Sequence, residues 1–284
     1  NIVKSSQSDR IVISIMYEGR GMIMSSSNLT LLTDLYQLTM MQGYFKANNK
    51  NVAVFDAFYR KNPCDGGYAI FAGLQQVIEY IENLHFDEDD IDYLRGLGIF
   101  DEDFLEYLST FHFTGDIYAF PEGTVMFPNE PMIKVIAPIM EAQLIETAIL
   151  NMVNHQSLIA TKAARVCYAA QGDGVMEFGL RRAQGPDAGL YGARAAMIAG
   201  CKGTSNVLAG EMFDVPVLGT HAHSWIMSFP DEYTAFKTYA ELYPNACTLL
   251  VDTYDTLGSG VPNAIRVFSE LRDKGIHPKS YGIR

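Results

Sequence analysis

The sequence predicts an α/β fold: an α+β amino-terminal domain, then the first part of a TIM-like α/β barrel domain, left incomplete. Three observations carry that expectation. From Gly172 onward strand-like and helix-like stretches alternate: VMEFGL with GLYGARAAMIAG, VPVLGTHAHS with DEYTAFKTYAELYP, and CTLLVDTYD with GVPNAIRVFSELRDKG, before SYGIR opens a further strand. The last three strand ends, Thr220, Asp252 and Arg284, fall at even spacing, the register of βα units around a parallel sheet or barrel. Ahead of that repeat come amphipathic helices and proline-punctuated short strands. The expected boundaries are a leader over 1–24, an amino-terminal α/β domain over 25–140, and a helix plus the opening of the barrel-like domain over 141–284.

Residues 1–24 carry neither an amphipathic repeat nor a hairpin signal, and they lack the long apolar stretch of a secretory signal. They read as a non-native or disordered leader, with Met22 or Met24 as the natural start. A helix is expected from Leu29 to Gly43, where Leu32, Leu35, Tyr36, Thr39 and Met40 approach helical spacing. NVAVFDAFYRKNP alternates like a strand, and PCDGGYAIFAG is a Gly-rich turn. In GLQQVIEYIENL, Leu74, Val77, Ile78 and Ile81 share one helical face. DEDDIDYLRGLG and DEDFLEYLSTF are short helices whose acidic first turns suit the helix dipole, the acid run forming a solvated face. Prolines restrict 116–138 to short strands and turns, and 141–171 is a long buried helical region with His155 as a satisfied core residue.

With 284 residues and 48% hydrophobic content the chain can bury a large core. No apolar run is long enough to span a bilayer. The formal net charge of −12 argues against a sequence-independent grip on nucleic acid, while leaving room for small anions bound by a local basic cluster. Cys64, Cys167, Cys201 and Cys247 are scattered, with no CxxC pair, and read as structural thiols in a reducing, cytoplasmic compartment.

In parallel sheets chemistry collects at the carboxyl ends of the strands, and the polar motifs fall there. EFGLRRAQG sets Phe178 beside Arg181 and Arg182, whose guanidinium groups suit phosphate or carboxylate. The alternative is an ion pair with Glu177. CKGTSNVLAG offers small residues and hydroxyls before a helix, so its N–H groups are an anion cradle in outline; no Lys-Ser/Thr follows to make it a Walker loop. Asp252 in LVDTYDT suits a metal, ribose hydroxyls or a histidine, the alternative being a helix cap, at Asp255 or Thr256 in particular. GTHAHS places His221 and His223 one residue apart, open to four readings: metal ligands, general base, structural imidazoles, or a nucleophile. A zinc site would need further ligands on later strands, and only His277 follows.

Six motifs in order, LLTDLYQLTM, VFDAFYRKNP, EFGLRRAQGPD, GTSNVLAG, GTHAHSW and VDTYDT, resemble the nicotinate phosphoribosyltransferase family from Leu29 to Arg284. The resemblance implies a type II phosphoribosyltransferase architecture. It also implies ATP-coupled condensation of nicotinate with phosphoribosyl pyrophosphate to nicotinate mononucleotide and pyrophosphate, with Mg2+, ATP as co-substrate and a phosphohistidine. In the GTxAHS pattern the phosphorylated position is His223, and His221 falls where the pattern is open. Asp252 is implied as an acidic catalytic residue near the ribose. Tyr36 and Phe178 are implied to sandwich the pyridine ring, Tyr36 reaching across a homodimer into the neighbouring site. Arg181 is implied beside the substrate anion, Thr220 in the nicotinate site, and Arg284 near the substrate carboxylate. Ser205 stands where nicotinamide-specific relatives carry an Asp, which favours the acid over the amide.

No nucleic acid or membrane partner is expected. Rival readings are another pyridine-base phosphoribosyltransferase, for nicotinamide or quinolinate, and an inactive fragment that dimerises with a full-length partner. The family's Leu-Asp-Ser-Gly-Asp and later strands do not follow Arg284 in this sequence, so the 284-residue chain alone is expected to be poorly folded or inactive.

Overall fold

The computed structural model describes residues 28–277 and 281–284, so the leader expected over 1–24 lies outside the described residues. Two compact units divide the chain, one ending at Val217 and one running from Leu218 to Arg284. In chain order the first holds α1 (Leu35–Lys46), β1 (Val52–Ala57), β2 (Ala69–Ile70), α2 (Leu74–Glu82), α3 (Glu88–Gly96), α4 (Glu102–Ser109), β3 (Asp116–Ala119), β4 (Val125–Met126), β5 (Ile133–Pro138), α5 (Ile139–Leu144), α6 (Glu146–Ala169), β6 (Met176–Glu177), α7 (Pro186–Ile198), β7 (Gly203–Thr204) and α8 (Val207–Phe213). The second holds α9 (His223–Met227), α10 (Glu232–Leu242), β8 (Cys247–Leu249), α11 (Val261–Asp273) and β9 (Tyr281–Ile283).

In the first unit β1, β5 and β3 form an antiparallel sheet in that order, registered Val52↔Pro138 and Asp116↔Ile136. Alternation along IKVIAP buries Ile133, Val135 and Ala137 in one core with Met41, Phe71, Phe104, Leu105 and Leu144. The helix expected from Leu29 instead begins at Leu35. Asp34 is extended, and side-chain hydrogen bonds hold the residues ahead of it out of the helix. Thr30 Oγ1 donates to His85 O at 2.7 Å, and Asn28 Nδ2 to Asp90 Oδ2 at 2.6 Å.

The acidic run is not wholly a solvated face. Asp87 and Asp90 form a reciprocal capping box at the start of α3, and Asp90 is buried. Burial pushes the Asp90 carboxyl up, while the Asp90 N–H and the Asn28 amide hold Asp87 below the usual carboxylate range. The helical region over 141–171 is two helices meeting at Ile145, and the half-buried His155 ring lies 3.2 Å from the Ala188 carbonyl. A feature the sequence gives no sign of is the half-buried ion pair Arg194–Glu122, at 2.5 Å. Glu122 also accepts the N–H groups of Gly73 and Leu74, at 2.5 and 3.0 Å, and so caps α2, whose N-cap is a glycine without a side chain. Burial opposes the charge on Glu122, yet Arg194 and those two N–H groups hold its carboxyl below the usual range.

The expected parallel βα pattern is present, with one unit more than the sequence reading placed. β6 pairs in parallel with β7 (Glu177↔Thr204), and Thr204 bridges in parallel to Val217. β7 escaped notice because Gly203–Thr204 sits among small polar residues without an apolar run. Conversely, VPVLGTHAHS does not run as a long strand; Val217 alone makes a ladder contact. Gly210 of α8 lets Val217 pack closely, since a Cβ would stand 2.1 Å from Val217 Cγ2 and push that side chain aside.

In the second unit β8 and β9 pair in parallel, Cys247↔Tyr281 through Leu249↔Ile283. Ile226, Phe236, Ala240, Leu249, Val267 and Leu271 bury one core between strand and helices. The wide turn Thr256–Gly260 leads from β8 into α11, and a Cβ on Gly260 would meet Val251 O at 2.0 Å. Among the described residues no helix is long and apolar enough to cross a membrane. The four cysteines are unbridged: Cys247 is buried as expected of a structural thiol, Cys64 is exposed, and Cys167 Sγ lies 3.9 Å from Cys201 Sγ.

Candidate active site

Phe178, Ser205, Asp252 and Arg284 lie just beyond strands of the two units, Tyr36 on a helix, Arg181 in a turn, and Thr220 and His223 outside any strand. In the first unit Glu177 organises the ends of β6 and β7. Its carboxylate accepts the Thr204 hydroxyl at 2.6 Å and the Gly179 N–H, and its carbonyl accepts the Ser205 N–H at 3.1 Å. Phe178 and Ser205, both half-buried, are the residues immediately beyond the paired Glu177 and Thr204. Arg181 and Arg182 lie in an exposed 3-10 turn, Leu180–Arg182. Neither guanidinium is in an ion pair among the described residues, so the Arg–Glu177 alternative is not what holds them. Tyr36 is the second residue of α1 and half its surface is exposed.

The anion cradle outlined at CKGTSNVLAG is largely used up by its own bonds. Thr204 N–H goes to Pro216 O, Ser205 N–H to Glu177 O, and Asn206 N–H to Thr204 Oγ1. Asn206 Oδ1 in turn caps α8 through the Ala209 N–H.

In the second unit the chain stays extended through Ala222, and α9 begins at His223. The two histidines therefore part company. His221 is buried, its Nε2 accepts the Leu250 N–H at 3.3 Å, and its ring meets Tyr239 edge-on at 4.7 Å between centroids. Burial pulls its pKa down, which favours the neutral acceptor. The His223 side chain is 53% exposed; its Nδ1 lies 3.2 Å from Thr253 Oγ1 and its Nε2 4.0 Å from Asp252 Oδ1. Thr253 is the site residue that sequence reasoning missed, because a threonine after an aspartate at a strand end carries no signal of its own. Arg284 is tied to the same strand end: its N–H donates to Leu249 O at 2.9 Å and its carbonyl accepts the Val251 N–H at 3.0 Å. Thr220 adjoins His221, donating its hydroxyl to the His221 carbonyl at 2.9 Å.

Two alternatives are resolved by this geometry. The capping role belongs to Asp255, which accepts the Gly258 N–H at 2.9 Å, and not to Asp252. The imidazoles do not converge as a zinc pair would require, since one is buried on a backbone N–H and the other faces outward. Among the described residues no three His, Cys, Asp or Glu side chains are grouped to hold a metal. What remains is an exposed imidazole with a hydroxyl and a carboxylate beside it, and a guanidinium-bearing residue on the neighbouring strand. That set suits transfer of an anionic group to a neutral nitrogen.

Comparison with known proteins places the chain in a family. Residues 31–154 match the nicotinate phosphoribosyltransferase (NAPRTase) N-terminal domain, and residues 174–276 match the nicotinate phosphoribosyltransferase (NAPRTase) family. A nicotinate phosphoribosyltransferase of Bacillus subtilis is 52% identical over 248 residues, covering 87% of this chain and 50% of that protein. Human nicotinic acid phosphoribosyltransferase superposes with a TM-score of 0.79 at 33% identity, over 89% of this chain and 60% of that one. A nicotinate-nucleotide pyrophosphorylase from Pyrococcus furiosus shares the fold, with a TM-score of 0.67 at 22% identity over 93% of this chain and 74% of that one. The chain spans about half the length of the curated relatives it matches.

Proposed function

We propose that this chain, which belongs to the nicotinate phosphoribosyltransferase family, carries the phosphate-accepting half of an ATP-coupled synthesis of nicotinate mononucleotide. The observation that carries the reading is the outward-facing His223, flanked by Thr253 and Asp252. A neutral imidazole nitrogen of His223 attacks the γ-phosphorus of ATP; a P–N bond forms, the bridging P–O bond breaks, and ADP leaves with the electron pair. Asp252, 4.0 Å from Nε2, sits where it can favour the positive charge that develops on the ring. In the second half-reaction the nicotinate ring nitrogen displaces pyrophosphate at the ribose carbon of phosphoribosyl pyrophosphate. Water then discharges the phosphohistidine as inorganic phosphate, driving the sequence forward.

The remaining residues divide between the two substrates. Thr220 lines the nicotinate site, and Arg284 serves the nicotinate carboxylate, where a charge-assisted hydrogen bond contributes about 1.5–3 kcal/mol. Phe178 and a Tyr36 contributed by a second copy enclose the ring, each aromatic contact worth about 0.5–1.5 kcal/mol beyond burial. A half-exposed Tyr36 is consistent with such a shared, homodimeric site. Arg181, free of an ion pair among the described residues, meets the substrate anion, and the neutral Ser205 spares the carboxylate a repulsion that an Asp would impose. Mg2+, when bound, neutralises phosphate charge; the exposed Asp252 is a carboxylate that can meet an ion held mainly by substrate phosphates. Unbridged cysteines support a cytoplasmic setting.

The test is γ-labelled ATP given to the protein expressed through its natural stop, beside a His223→Ala version. Acid-labile label should appear on the wild type, vanish in the variant, and discharge when nicotinate and phosphoribosyl pyrophosphate are added. Product without label would keep the transferase but reduce His223 to a structural or positioning role. An amide preference would point to nicotinamide. Neither label nor product, with dimers intact, would leave a dimerising chain without catalysis.

A further inference from the structure

We propose that His221 is a positioning residue for His223, acting as a side-chain hook that fixes the THAH segment to the edge of β8 at Leu250. The argument starts from strand geometry. Successive N–H groups of a strand point to opposite edges. On one edge of β8 the ladder runs to β9 and is continued by Arg284, which accepts the Val251 N–H and donates to Leu249 O. The Leu250 N–H therefore points to the other edge, where a neighbouring strand's carbonyl would ordinarily receive it. Here the acceptor is an imidazole, His221 Nε2 at 3.3 Å.

That contact sets register. Leu250 lies two and three residues before Asp252 and Thr253, and His221 lies two residues before His223. Pinning His221 to Leu250 thus places His223, at the first position of α9, level with the carboxylate and hydroxyl that flank it. The hook is held rigid from its other side: the ring packs edge-on to Tyr239 and near Phe236, both on α10, and is itself buried. An exposed hook would exchange freely with water; a buried one leaves the Leu250 N–H without a partner when it is removed. Because Nε2 must accept, the ring is neutral with its proton on Nδ1, an atom with no hydrogen-bond partner among the described residues; burial favours the neutral form. The role is distinct from chemistry: His221 does not face the outward side on which His223 is exposed.

This inference rests on the reading of His223 as phosphate acceptor for its catalytic consequence, and its test separates the two. In the full-length protein, His221→Phe fills the apolar slot but cannot accept, while His221→Gln places an amide oxygen near the position of Nε2. Hydrogen exchange at Leu250 should speed about tenfold in the Phe variant and return toward wild type in the Gln variant. Labelling of His223 by γ-labelled ATP should slow by a similar factor in the Phe variant, recover in the Gln variant, and show unchanged ATP affinity in both. Unaltered exchange of the α11 amides, in the same unit as His221, would confirm that this unit of the Phe variant is folded. Equal Leu250 exchange in wild type and Phe variant overturns the hook. Faster exchange with undiminished labelling overturns the positioning role. Absence of label in the wild type defeats the phosphate-acceptor reading instead, and the hook then stands or falls on the exchange result.

Discussion

Around the β1–β5–β3 sheet, position follows from burial: Phe71, Phe104, Leu105 and Leu144 are sealed in one core, and the helices that carry the last three have nowhere else to put an apolar face. At the carboxyl ends of β8 and β9 His223 and Arg284 are exposed and placed by backbone or hydroxyl contacts, His223 on Thr253 and Arg284 on Leu249 and Val251, with the buried His221 behind them on Leu250. The amino-terminal core tolerates change that keeps volume and pattern. The strand ends tolerate change that keeps donors and acceptors. The contrast teaches that the same chain needs two kinds of test, one read as stability and one read as chemistry.

The comparison breaks first where the core contains a polar element. Replacing Arg194 by Met leaves Glu122 half-buried without its ion partner, and breaking such a pair costs roughly 3 kcal/mol, the lower end of the usual range because both side chains keep some exposure. Glu122 is depressed in the fold, so its contribution is present above the ordinary carboxylate pKa and is lost as pH falls through the lower folded value. Denaturant melts of the wild type should therefore lose stability on acidification in a step that the Arg194→Met variant lacks. An identical acid limb in both proteins would show that Glu122 is satisfied by Gly73 and Leu74 alone.

Next in size is the carboxylate beside the exposed histidine. Asp252→Asn keeps shape and removes charge, and should slow phosphate transfer to His223 by about 10- to 100-fold, the equivalent of a charge-assisted contact of about 1.5–3 kcal/mol. Unfolding midpoints should move little, since Asp252 is exposed and caps nothing. A large stability loss with unchanged labelling would place Asp252 with the core residues and reverse the contrast.

The same division governs what was readable in the sequence. Helices α2, α3, α4, α10 and α11 were legible because burial imposes a period, and a period is visible in one dimension. Where side chains compete with the backbone, periodicity misleads: Leu29–Thr33 looks helical, but Asn28 and Thr30 spend their polar groups on His85 and Asp90, which only the fold brings near. β7 was invisible because two small residues have no pattern. At the strand ends, Thr220, Asp252 and Arg284 were legible from even spacing, whereas His223 was singled out by the GTxAHS resemblance and not by spacing. Thr253 and the burial of His221 were not, because they depend on where α9 begins, and Ala222–His223 carries no strong helix-start signal.

The smallest effect tests whether the β6–β7 strand ends of the first unit obey the polar rule although their own unit is built around an apolar core. Asn206 is buried, its Oδ1 accepts the Ala209 N–H at 3.2 Å to cap α8, and its Nδ2 donates to Gly189 O at 3.3 Å. Asn206→Ala removes both contacts and should lower stability by about 1 kcal/mol, the usual worth of a cap. Asn206→Ser restores an acceptor for the N–H but not the donor to Gly189, so it should recover part of that loss. If volume were what mattered, Ser and Ala would behave alike, being nearly the same size. Equal melts for the two variants would therefore place this strand end with the burial-built core; a graded series, wild type above Ser above Ala, would place it with the hydrogen-bonded ends of β8 and β9.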